Sequence, residues 1–168
     1  MTKRTCLYAL MAILAILAGI ALWQRSAPRL VFLKSMEKLS SLDREKIIGK
    51  HVLLHFWAKW CEPCAEELPH LLQFARNARF PRPLEVLAVS LDPTLEEALS
   101  LFPASERAFP ENFLIALDPA HEAAEAMGSF QYPETYLIDP DGRILDKWVG
   151  PQQWQKPEVL EFFRQKLL

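Results

Sequence analysis

The chain of 168 residues holds only three cysteines, too few to staple a small secreted scaffold together with disulfides. It also lacks any surplus of basic charge. Lysine and arginine number 19 against 21 aspartates and glutamates; Lys3 and Arg4 are the only charged residues among the first 23, so the remainder carries a formal −4. A slightly acidic body excludes the broad cationic surface that nucleic-acid binding depends on. No internal repeat and no low-complexity tract is present, which excludes a solenoid and leaves one compact domain with a short appendage.

Charge is missing altogether from Thr5 to Gln24, and Leu7 to Trp23 is almost wholly Leu, Ile, Ala and Met. Twenty uncharged residues as helix cover about 30 Å, the thickness of a bilayer's hydrocarbon core. Residues 1–24 are therefore expected to form an N-terminal membrane anchor, with a cleaved signal peptide as the alternative, since Lys3 and Arg4 suit either. No convincing small-residue cleavage site follows the run; Gly19-Ile20-Ala21 lies inside it. A basic start places the body outside the cytoplasm, although Arg25, Arg29 and Lys34 on the other flank weaken that bias. The expectation is a single-pass protein of the inner, or cytoplasmic, membrane whose catalytic domain faces the periplasm or the cell exterior. Residues 25–41 read as a linker or stalk, and 42–168 as the folded domain.

Within the domain, Val52-Leu53-Leu54-His55-Phe56-Trp57 has the continuous apolar character of a strand buried on both faces. Ala65, Leu68, Leu71, Leu72 and Ala75 then recur at helical spacing over 62–78, with Pro69 expected to kink the helix. Val86 to Leu91 reads as a second buried strand. Helices at about 94–101 and 119–127 flank a stretch rich in Pro and Phe that reads as loop. Thr135–Ile138 and Ile144–Val149 read as strands joined by Asp139-Pro140-Asp141-Gly142, where glycine supplies the positive φ of a hairpin turn. A last helix runs from Pro157 to Leu168. The fold class is α/β, a central mixed sheet flanked by helices.

Two of the cysteines stand as Trp60-Cys61-Glu62-Pro63-Cys64, between a buried strand and a helix. That spacing puts both sulfurs on one side of a helical turn, within disulfide reach. Cys61 falls at the helix N-terminus, where unpaired N–H groups and the helix dipole favour a thiolate. It is expected to be the nucleophile, and Cys64, one turn in, to resolve the mixed disulfide. Pro63 fits the first turn, where a missing N–H costs little. Half of a zinc site is the competing reading. Zinc needs about four ligands, and no second cysteine pair exists; His51 and His55, on a strand, would stand about 13 Å apart. No metal and no cofactor beyond the cysteine pair itself is expected.

The stretch Phe56-Trp57-Ala58-Lys59-Trp60-Cys61-Glu62-Pro63-Cys64-Ala65-Glu66-Glu67-Leu68-Pro69 resembles the active-site segment of the TlpA/ResA/DsbE (CcmG)-like thioredoxins. Tyr132-Pro133-Glu134-Thr135-Tyr136-Leu137-Ile138-Asp139 resembles their second signature. The similarity runs from about Leu42 to the C-terminus. It implies a thioredoxin-like fold, a cis peptide bond before Pro133 that leaves the Tyr132 backbone free to pair with a substrate strand, and an active-site glutamate at Glu67. One helical turn past Cys64, Glu67 is placed to accept the Cys64 proton. Tyr132 departs from the small residue common there, and the region before Leu42 is shorter than the usual N-terminal extension. Glu62 and Glu66 suit a helix start. Trp57 and Trp60 are candidates either for the core or for the surface around the cysteines.

The function these readings imply is reduction of protein disulfides, since nearby carboxylates disfavour the Cys61 thiolate and a less stabilised thiolate means a lower potential. By resemblance, the partners are apocytochrome c or its maturation proteins and a membrane electron donor. The alternatives are a general periplasmic reductase or isomerase partner and, from another class, a non-catalytic docking module. The peroxiredoxin pattern of Pro and Thr before a single reactive Cys is absent.

Overall fold

The computed structural model describes residues 8, 11–20, 32, 34–39, 42–77 and 79–168. Five strands form one mixed sheet in the order β3-β2-β1-β4-β5. They are β1 (His51–Trp57), β2 (Leu84–Ser90), β3 (Phe113–Leu117), β4 (Glu134–Ile138) and β5 (Ile144–Val149). β1, β2 and β3 run parallel, with Val52 opposite Glu85 and Val86 opposite Phe113. β4 is antiparallel to β1, placing Thr135 beside His55, and β5 is antiparallel to β4. Every residue of β1 and β2 is buried, as continuous apolar runs require.

Among the described residues three helices connect the strands, α1 (Glu62–Asn77), α2 (Leu95–Leu99) and α3 (Glu122–Ala126), and α4 (Pro157–Lys166) follows β5. α1 buries Cys64, Leu68, Leu71, Leu72 and Ala75, and it runs unbroken with Pro69 inside it. Phe74 of α1 meets Trp154 and Phe163 at 5.6 and 5.1 Å between ring centroids, and Trp148 of β5 meets Phe163 at 5.9 Å. This aromatic cluster holds α1 and α4 on one face of the sheet. Gly142 takes φ 78° in the β4–β5 turn, and Asp139 Oδ1 accepts from the Arg143 N–H at 2.8 Å.

Two expectations change. β3 was expected to be loop. Its five residues follow Pro110 in a short apolar run, and only parallel pairing with β2 reveals them as strand, because periodicity cannot identify so short a run. The second concerns the stalk over 25–41. Phe32, Ser35, Met36 and Leu39 are buried, the three apolar ones within the core, so the folded unit takes in side chains ahead of Leu42. The anchor expected over 1–24 falls mostly outside the described residues. Residues 11–20 are helical and exposed, and among the described residues no helix is long and apolar enough to cross a membrane.

His55 sits fully buried on β1, its Nδ1 hydrogen-bonded to Thr135 Oγ1 at 2.9 Å. Burial pushes its pKa down from 6.5 to about 3, so the folded protein holds a neutral imidazole where the unfolded chain gains a proton. Between those two values the unfolded state binds more protons, and stability falls as pH drops through that window. In His55→Asn the loss of Tm between pH 7 and pH 4 is expected to shrink, although the smaller side chain lowers Tm at pH 7. Thermal melts at both pH values check this; an undiminished acid loss would remove His55 from the account.

Candidate active site

β1 ends at Trp57, and α1 begins five residues later. The intervening turn is pinned by Asp92, which is buried beyond the end of β2. Its two oxygens accept from the Lys59 N–H at 3.1 and 2.9 Å, and Ser90 Oγ donates to the same carboxylate at 2.7 Å. Cys61 therefore arrives at the start of α1 in a fixed position, its carbonyl accepting from the Ala65 N–H at 3.1 Å. Glu62 and Pro63 open the helix and are exposed.

Cys61 and Cys64 form a disulfide, with Cα atoms 5.2 Å apart. The two sulfurs differ in access. Cys61 keeps 7% of its surface and Cys64 none, the asymmetry expected of a nucleophile and a resolving thiol.

Trp57 is core, packed edge-on to Phe102 at 6.0 Å between centroids. Trp60 is 62% exposed and meets the edge of Tyr132 at 6.1 Å. The Tyr132–Pro133 peptide bond is cis, and Pro133 is buried. Tyr132 OH donates to the Ser129 carbonyl at 3.3 Å, and His121 meets the same ring edge-on at 6.5 Å between centroids. Trp60 and Tyr132 make an apolar pair at the surface, and Phe130, two residues before Tyr132, is strongly exposed as well. Tyr132 thus packs between neighbouring rings rather than projecting alone.

Glu67 lies buried one turn beyond Cys64. Its Oε1 accepts from the Gln152 N–H at 3.0 Å and from Trp154 Nε1–H, while its Oε2 is buried with no partner. Burial pushes its pKa up to about 7, against the two donors, which pull it down. A carboxyl balanced near neutrality is suited to take up and return a proton.

Sequence reasoning brought Cys61, Cys64, Glu67, Trp60, Glu62, Pro63, Tyr132 and Pro133 to attention, and the fold gathers them at one end of the sheet. It missed Asp92, whose one signal was a polar residue just past the C-terminal end of a buried strand. It missed Glu134 as well. This buried carboxylate follows Pro133, pairs with Lys147 at 2.9 Å and accepts from Ser129 Oγ and, at 3.3 Å, from Tyr136 OH. Gln152 and Trp154 carried no local signal.

The pattern of the AhpC/TSA family matches residues 27–147. The thiol-disulfide oxidoreductase ResA of Bacillus cereus (strain ZK / E33L) is 29% identical over 130 residues, covering 75% of this chain and 68% of that protein. The thiol:disulfide interchange protein CycY of Rhizobium leguminosarum bv. viciae is 35% identical over 113 residues, covering 67% and 57%. The chain thus spans little more than half of the second relative's own length. Among solved structures, a protein assigned as the thiol:disulfide interchange protein DsbE of Chlorobium tepidum superposes with a TM-score of 0.55 at 30% identity, covering 73% of this chain and 79% of that one. StoA of Bacillus subtilis superposes with a TM-score of 0.56 at 24% identity, covering 68% and 83%. The fold is thioredoxin-like.

The raised pKa of Glu67 has a consequence for stability. Between 4.5 and about 7 the folded protein holds a proton that the unfolded chain has released, so stability falls as pH rises across that interval. Glu67→Gln removes the titration, and the difference in unfolding free energy between pH 4.5 and pH 8 is expected to narrow by about 2–3 kcal/mol. Denaturant unfolding of the oxidised protein at both pH values measures it. An unchanged difference would mean that the carboxyl titrates as an ordinary one.

Proposed function

The chain belongs to the AhpC/TSA family, and from that membership and the geometry of its cysteine pair we propose that it is a thiol–disulfide oxidoreductase that reduces disulfides in proteins outside the cytoplasm. The observation that carries this reading is the disulfide between a cysteine at a helix start that keeps 7% of its surface and a fully buried one a turn away, with a buried carboxyl three residues further along the helix. The names of the relatives, oxidoreductase and interchange protein, support the same chemistry.

In the reduced protein the Cys61 thiolate attacks one sulfur of a substrate disulfide. A Cys61–substrate disulfide forms, and the other substrate sulfur leaves as a thiolate and takes a proton. Cys64 then gives its proton to Glu67, and its thiolate attacks Cys61 Sγ. The Cys61–Cys64 disulfide forms, the second substrate sulfur leaves, and the proton returns from Glu67 to solvent or product. Two electrons pass from the cysteine pair to the substrate. A thiol donor reached from the membrane recharges the pair.

The exposed Trp60 with Tyr132 against it, and the exposed Phe130 on the same segment as Tyr132, favour a polypeptide over a small soluble disulfide as substrate. Apocytochrome c, or a thiol protein of its maturation, is the substrate the sequence resemblance favours. The large apolar side chains of residues 11–20, left exposed on a helix, support tethering of the domain to the inner membrane. A purely docking role is disfavoured by the intact cysteine pair, which docking does not need.

Insulin reduction is expected to vanish in Cys61→Ser and to stall in Cys64→Ser, which should accumulate the mixed disulfide with its substrate for identification by mass spectrometry. Wild-type turnover in both variants would end the catalytic reading. Equilibration with glutathione is expected to give a potential well below that of a strong oxidant; a value near about −120 mV would reverse the assigned direction of electron flow.

A further inference from the structure

Glu67 is tied to the fold by a segment more than 80 residues away. Residues 150–154 leave β5 and cross between the two halves of the site. Gly150 N–H donates to the Pro133 carbonyl at 2.8 Å, and Gln152 Nε2–H donates back to the Gly150 carbonyl at 2.9 Å. The Gln152 amide and the Trp154 indole then both donate to Glu67 Oε1. Gly150 sits at φ 84°, a conformation that favours glycine, although a Cβ there would meet nothing within 4 Å. The strap is therefore shaped by its backbone.

Trp154 is 1% exposed and wedged among Phe74, Trp148 and Phe163, at 5.6, 6.3 and 6.3 Å between ring centroids. These three ring contacts hold the indole where its Nε1–H donates to Glu67. On its outer side the strap lines a pocket of about 470 Å³ together with His70 and Lys156, so solvent reaches the strap while Glu67 itself is 3% exposed.

We propose that Trp154, with the Gln152 amide, is a positioning residue for thiol–disulfide exchange: by occupying Oε1 it leaves Oε2 as the one atom of Glu67 that trades a proton with Cys64. This rests on the oxidoreductase reading above. A carboxyl holds its proton on one oxygen at a time, and an oxygen already accepting two N–H groups is the poorer place for it. Oε2 is buried and has no hydrogen-bond partner, and Cys64 lies one helical turn away on the same face. During resolution the Cys64 S–H bond breaks and an O–H bond forms at Oε2; the sulfur keeps the electron pair and spends it on Cys61 Sγ, expelling the substrate sulfur.

The same two donors hold the ionised form within reach, since burial alone would drive the carboxyl further toward its neutral state. The groups beside Glu67 are Cys64 and His70, one turn to either side on α1, and Gln152 and Trp154 from the strap. Its titration is governed by burial and these two donors, with no charged side chain contributing.

The test uses the full chain carrying a nitrothiobenzoate on Cys61, whose release reports attack by Cys64. Trp154→Phe removes the donor, and replacement of Trp154 by the isosteric 3-benzothienylalanine removes it while keeping the ring's shape. Both are expected to move the pH midpoint of release upward by about one unit, slowing release several-fold to about tenfold at pH 7. The ¹³C shift of the Glu67 carboxyl should follow with the same displacement, and the pH midpoint of Cys61 attack in a Cys64→Ser background should stay in place. A merely structural tryptophan would lower Tm in the phenylalanine variant and leave the midpoint alone in the isostere. That result overturns the proposal while the reading beneath it stands. If Glu67→Gln releases as fast as the wild type, the proton role of Glu67 falls, and the proposal with it.

Discussion

The structure depends on the junction at which a fully buried strand hands over to a helix. β1 has no exposed residue, so it is fixed by the sheet on both edges and by packing on both faces. Whatever follows it inherits that rigidity. Asp92 carries the constraint across the turn by holding the Lys59 N–H with both oxygens, which sets where α1 starts and therefore where Cys61 lies. A sulfur at a helix start owes its reactivity to dipoles and N–H groups whose influence fades within a turn, so small displacements of that start would cost reactivity directly. The buried Ser90–Asp92 pair is thus as much a part of the site as the cysteines it never touches.

Around that junction the fold assembles three pieces of chain that are remote in sequence. The cis-proline segment comes off α3 and enters β4, steadied by the Glu134–Lys147 ion pair on the far side of Pro133. The strap of residues 150–154 comes off β5. Its Gly150 N–H binds the Pro133 carbonyl and its Gln152 and Trp154 bind Glu67, so it joins the cis-proline loop to α1. The antiparallel pair β4–β5 makes this possible, because a hairpin returns the chain to the end of the sheet it left. Its turn, with Gly142 at positive φ, is therefore a requirement of the site at the opposite end.

The sequence made legible what is encoded locally. Strands buried on both faces announce themselves as β1 and β2 did; the apolar stripe of α1 survived Pro69; and Gly142 marked the hairpin. The Cys61–Cys64 spacing carried its own chemistry, while Pro133 and Glu67 were found through motifs. β3 escaped because five residues carry no periodicity and its strand character lies in pairing with β2. Phe32 and Met36 escaped because a linker composition does not forbid burial when the domain offers a place for it. Asp92, Glu134, Gln152 and Trp154 escaped for one shared reason. Each acts through a hydrogen bond whose meaning exists only after folding, the longest reaching 87 residues from Trp154 to Glu67.

The balance of charge around the cysteines is finer than a count of carboxylates indicates. Glu62 and Glu66 are exposed, so water and salt screen much of what they exert on Cys61. Glu67 is buried and unscreened, but its charge is not constant, since a carboxyl with a pKa of about 7 is ionised only in part at neutral pH. Ionised, it repels a thiolate on Cys64 and favours the disulfide, which carries no charge. Protonated, it relieves that repulsion at the moment Cys64 has surrendered its proton. A single buried carboxyl therefore does two things that two fixed charges could not. In the proposed reaction it biases the pair toward its oxidised form, the bias a reductant requires, and it withdraws its own opposition to the thiolate of the resolving step. Both effects require that the carboxyl be poised between its states, and burial set against two donated hydrogen bonds is what keeps it there.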